Sequence, residues 1–90
     1  MNIELIYKHI ISSLYKMLCW REENKHWQTI YDELLVEITF NDIIPEDVKG
    51  SLALKIITLK YVDFSTFRQT IFEVINYADT LRGIQRESSF

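Results

Sequence analysis

A chain of 90 residues holds one compact domain and is too short for two. Its 48% apolar and 13% aromatic content supplies enough burial to exclude disorder, while two glycines and one proline are too few to punctuate a fold of many short strands. A net charge of −3 argues against a general nucleic-acid binder. No basic-then-apolar leader opens the chain, and no stretch nears the roughly 20 apolar residues of a bilayer span. The lone Cys19 excludes an internal disulfide and fits a reducing compartment, so a cytoplasmic protein is expected.

The first segment, about Asn2 to Glu22, spaces Ile3, Ile6, Tyr7, Ile10, Leu14, Met17 and Leu18 as one helical stripe. Leu5, Ile11 and Trp20 widen it, which suggests cover on more than one side. The polar run from Arg21 to Lys25 forms either a turn or the bend of a continuous helix. A second helix, Lys25 to Phe40, lines one face with Trp27, Ile30, Tyr31, Leu34, Leu35 and Ile38. After a turn at Asn41 and Asp42, Pro45 is expected at the first position of a third helix, with Glu46 and Asp47 in its favourable first turn. Val48, Leu52, Ile56 and Leu59 continue its apolar face, and Gly50 inside it suggests either close packing or chance.

The last helix has the clearest start. Asp63 reads as its N-cap, with Val62 and Phe67 as a hydrophobic staple. Phe64, Phe67, Ile71, Val74, Ala78 and Leu81 alternate spacings of three and four, as in a heptad seam. Gly83 suits the C′ position, which leaves Ile84 to Phe90 as a tail. The expected architecture is all-α: an antiparallel up-down bundle of four helices, or of three with a long bent first helix. Residues 1–83 form the single helical domain and 84–90 the C-terminal tail.

Chemistry is hard to assemble from these residues. On a continuous first helix His9 lies about 15 Å along the axis from Cys19, too far to pair. Cys19, between Leu18 and Trp20, reads as a small core or interfacial hydrophobe. Two histidines and one cysteine make no closed zinc site, and Gly50 and Gly83 are isolated, so no glycine-rich phosphate loop exists. No enzyme, metal or cofactor is expected. Ile57 to Ile75 also fits a helix-turn-helix with Arg68 and Gln69 near the start of its second helix, but Glu73 and Asp79 follow, and Phe64 and Phe67 belong to the seam.

Charge is distributed unevenly. Asp32, Glu33, Glu37, Asp42, Glu46 and Asp47 form a run of six acids uninterrupted by Lys or Arg, while the rest of the chain carries ten basic and seven acidic residues. Such a patch is either a solvated face or a recognition surface for a basic partner, a nuclease domain being one example. Among the aromatics, Tyr15 falls off the first helix's stripe and Trp20 sits at its polar end, so these two are the candidates for exposed interface anchors.

From Trp27 to Phe90 the chain resembles the enterocin- and pediocin-type bacteriocin immunity proteins, which are antiparallel four-helix bundles. The features are an amphipathic helix, a Pro45-led third helix, the segment Asp63-Phe64-Ser65-Thr66-Phe67, and Leu81-Arg82-Gly83 before a short tail. Their tails are usually longer and their second helices less acidic. In its acidic patch the chain is more similar to immunity proteins that plug nuclease toxins. The resemblance implies stoichiometric binding of a toxin or toxin–receptor complex. A different class also fits: a small regulator, a homodimer through its heptad seam, contacting nucleic acid or a transcription component.

Overall fold

The computed structural model describes residues 2–87, and within them the chain is all-α, with four helices and no strand. They are α1 (Ile3–Glu22), α2 (Gln28–Thr39), α3 (Glu46–Ile57) and α4 (Phe64–Glu87), with a single 3₁₀ turn, Thr58–Tyr61, between the last two. Asn2 opens α1 by accepting a 2.9 Å hydrogen bond from the Leu5 amide.

Helices 1 and 2 are separate. The break comes from Asn24, whose φ of 58° places it in the left-handed region. The Lys25 amide donates to Trp20 O at 2.8 Å and the Asn24 amide to Arg21 O at 3.1 Å, the paired bonds of a Schellman ending. Asn tolerates this conformation better than any other residue in the polar run. The chain then needs until Gln28 to restart, with Trp27 ahead of it and no side-chain cap. Helix α2 thus begins three residues later than the apolar stripe suggested.

Between α2 and α3 the Asn41 side chain organises the turn, accepting from the Ile43 and Ile44 amides at 2.8 and 3.1 Å. Ile44 is thereby buried. Pro45 takes the N-cap position and not the first helical one: its ψ of 144° is extended, and its carbonyl accepts from the Lys49 amide. At Gly50 an added Cβ would meet nothing within 4 Å, so the glycine serves no close contact.

Helix α4 starts as its sequence indicated. The Thr66 amide donates to Asp63 Oδ1 at 2.9 Å. That bond is the main reason the Asp63 carboxyl sits below its ordinary value, with the Thr66 hydroxyl and, more weakly, the Arg21 charge acting in the same direction. The helix does not end at Gly83, which has no positive φ; it continues to Glu87. Residues 84–87 of the expected tail are therefore helical, and residues 88–90 lie outside the described residues.

Cross-helix contacts fix the directions. His9 of α1 meets Glu37 near the end of α2, the Tyr31 hydroxyl of α2 donates to Ile57 O at the end of α3, and Tyr15 of α1 packs edge-on against Phe72 of α4. Neighbouring helices therefore run antiparallel, as in an up-down bundle. α1 lies mainly along α4, and α2 bridges α1 and α3.

One continuous core runs through the bundle, with Leu14, Met17, Leu34, Leu52, Ile56, Phe67, Ile71 and Val74 essentially sealed. The seam on α4 is buried from Phe67 to Ala78, joined by Ile75. Phe64 departs from it: at the first position of the helix it is 38% exposed. Arg21 closes that end of the core. Its guanidinium lies 4.4 Å from the Phe67 ring centre and within 6 Å of Trp27 and Phe64, while Nη2 donates to Val62 O. Its buried Nη1 has no hydrogen-bond partner, so the aromatic faces supply the compensating negative potential.

Two substitutions test this packing. Phe67→Ala should cost about 3–5 kcal/mol in urea denaturation, as a sealed aromatic leaves a cavity among rigid neighbours. Gly50→Ala should gain about 0.5–1 kcal/mol by the same measurement, because the new methyl meets open space in a helix interior.

Candidate functional site

All six acids of the run from Asp32 to Asp47 are exposed. Two of them explain themselves locally. Glu46 and Asp47 occupy the first turn of α3, where unpaired amides and the helix dipole favour negative charge, and Glu46 also reaches Lys49 at 3.4 Å. Asp47 lies close enough to Tyr7 to help hold that phenol above its ordinary value, behind the larger effects of burial and of Tyr77.

Asp32, Glu33 and Glu37 have no such explanation. α2 has no acid in its first turn and no base in its last; Asp32 and Glu33 sit mid-helix, beyond the reach of the dipole, and Glu37 lies in the last turn, where the dipole disfavours it. Asp32 leans toward the α3 side, where it adds to the burial and the Tyr61 charge that hold Tyr31 above its ordinary value. Glu33 and Glu37, one turn apart, share the edge facing α1. Glu37 Oε2 accepts from His9 Nε2 at 2.7 Å, with both side chains at least half exposed. Asp42 follows in the turn after α2.

Exposed apolar residues interleave with these acids, and sequence reasoning passed over them. Val36 is 57% and Phe40 77% exposed, with Leu5 facing them from α1. They flank an open groove of about 540 Å³ floored by Ile6, Ile10 and Ile38. The signal was available: Val36 and Phe40 fall outside the apolar stripe of α2 yet are spaced one turn apart, as a second face requires.

In comparisons with protein-family models, with curated proteins and with solved structures, none matches this chain. The site rests on its own geometry.

The aromatic candidates divide. Tyr15 is exposed, its ring edge on Phe72, whereas Trp20 is half-buried against the core with Lys16 Nζ 5.1 Å from its ring centre. Trp20 is thus a partial correction, because the Schellman turn folds the chain back beside it. Cys19 lies exposed on the outer face of α1, so of its two readings the core one is corrected, with Met17 and Leu18 filling the core positions beside it. Arg68 stacks over Phe72 and Gln69 lies 3.5 Å from Glu73 on the outer face of α4. Among the described residues no three His, Cys, Asp or Glu converge as metal ligands would, and no helix is long and apolar enough to cross a membrane.

If the acids of α2 serve something other than folding, neutralising them should not harm the fold. Asp32→Asn with Glu33→Gln should leave the melting temperature unchanged or raise it slightly, since both charges are exposed and neither makes a defined ion pair across helices. A fall of several degrees in calorimetry would mean these acids hold the bundle together.

Proposed function

We propose that this domain acts by stoichiometric binding to a protein partner, as an immunity-type protein that neutralises a toxin or bacteriocin, and that it does so without catalysis. One observation carries the reading: Asp32, Glu33 and Glu37 stand exposed on α2 where neither a helix start nor a cap accounts for them, interleaved with the exposed Val36 and Phe40. The exposed apolar pair adds nothing to the core, and both features suit an interface with apolar anchors inside a charged surround. The charge favours a basic partner, for which a toxin's nuclease domain, cationic where it binds phosphate, is the natural class. The domain then works in the cytoplasm, where such a toxin would act.

The alternative of a dimeric regulator gains no support from the seam it would use. Phe67, Ile71, Val74 and Ala78 are sealed inside their own bundle.

The test uses the toxin encoded beside this chain's gene, if one lies there, or else the partner recovered from its native host. Wild-type protein should bind it tightly and neutralise it in a one-to-one complex. The variant Asp32→Lys, Glu33→Lys, Glu37→Lys should lose roughly a hundredfold or more in affinity by calorimetry, as like charges are brought together. Unchanged affinity would remove the acidic face from the account, and bound toxin that stays active would remove the immunity role.

A further inference from the structure

We infer that the groove between the first half of α1 and the end of α2 seats about two turns of an amphipathic helix from the partner, carrying lysines or arginines on the flank over α2. The inference rests on the reading of this chain as a binding protein and adds the chemistry of what it holds.

The groove exists because α2 ends there. Glu37 stands opposite His9, and past Phe40 the chain turns off through Asn41 toward α3, leaving the first turns of α1 uncovered on that side. Its floor, Ile6, Ile10 and Ile38, belongs to the sealed core, whereas its walls, Leu5, Val36 and Phe40, are about half to three-quarters exposed. Apolar walls on both sides of an apolar floor form a recess that water fills poorly. Leu5 to His9 and Val36 to Phe40 each span one turn, so side chains four apart on an incoming helix match the spacing of both walls.

Charge selects the occupant. The α2 wall carries Glu33 and Glu37 on the same edge as Phe40, with Asp42 just beyond; the α1 side offers His9, with Lys8 on its outer face. A cationic flank is therefore favoured over α2 only, which fixes the direction in which a one-sided amphipathic helix can lie. The His9–Glu37 contact crosses the groove, and at this exposure it is a weak tie that an incoming lysine displaces at little cost. A second copy of this chain is a poor occupant, since it would set Glu33 and Glu37 of one groove against acids of the other. The exposed Leu54, Ile57 and Tyr61 on the α3 side stand among Lys55 and Lys60, so they lack the acidic surround that a cationic helix needs.

Three fluorescein-labelled peptides of about 18 residues, long enough to form a helix on binding, test this by anisotropy against the whole chain. One has a Leu/Phe face and a Lys flank, one the same face with a Glu flank, and one the first composition in scrambled order. The Lys-flanked helix should bind, and the other two at least about tenfold more weakly. The variant Val36→Ser, Phe40→Ser changes only exposed side chains; with its helical circular dichroism intact, it should weaken the first peptide by about tenfold or more. Equal binding of the scrambled peptide, unchanged affinity in the double variant, or a concentration-dependent dimer abolished by Phe40→Ser would each overturn the proposal. The two levels separate on the toxin itself. If charge reversal on α2 abolishes toxin binding while Val36→Ser, Phe40→Ser does not, the groove is wrong and the binding role stands. If neither variant alters it, the role assigned to this face falls as well.

Discussion

Two helices of 20 and 24 residues set the length of this molecule, and the two of 12 residues cannot match them. The pairing of α1 with α4 is the constraint from which the rest follows. Their apolar faces meet antiparallel, and the two helices supply half of the large buried side chains of the core. At one end Arg21 lies over Phe67 and Trp27 and closes the core with a cation set on aromatic faces. At the other, α2 stops short, and the first turns of α1 are left with apolar residues beside open solvent. The groove is a consequence of unequal helix lengths.

That geometry separates two kinds of surface charge. Glu46 and Asp47 stabilise the start of α3 and would be expected in any helix with that N-terminus. The acids on α2 gain nothing from the dipole, which Glu37 in the last turn opposes, and make one exposed contact to His9. A small bundle has little stability to spare, since a chain this size buries a modest fraction of its surface. Charges that the helix carrying them does not need, beside a phenylalanine left in water, point to selection for contact with something outside the fold.

The apolar faces were legible in the sequence because periodicity reports burial directly. Val48, Leu52, Ile56 and Leu59 of the third segment, and Phe67 to Ala78 of the last, all lie in the core. The Asp63 cap was legible too, because a side-chain carboxylate three residues before a free amide has one main use. The ends were harder. Gly83 permits a left-handed ending without requiring one, and α4 runs through it; Asn24 is the residue that takes that conformation. Pro45 fits the cap and the first turn almost equally by its φ, so only the extended ψ of 144° distinguishes them. Phe64 keeps the heptad spacing, yet at the first position of the helix it points past the end of the core toward Arg21. The run of six acids was plain in the sequence, but its division into charges the dipole stabilises and charges it does not depends on where α2 and α3 begin and end. Of the groove only the Val36 and Phe40 wall was legible, from its one-turn spacing; the recess itself is made by residues about 30 apart whose juxtaposition only the bundle creates.

The outward face of α2, with the adjoining turns of α1, is where we propose that this protein meets its partner. Backbone amide shifts of isotope-labelled protein, followed by nuclear magnetic resonance during titration with the partner recovered from the native host, read that surface directly. The largest changes should fall on residues 33–42 and 5–9, with the outer face of α4 from Arg68 to Asn76 undisturbed. Changes centred on that face of α4, with α2 silent, would contradict it.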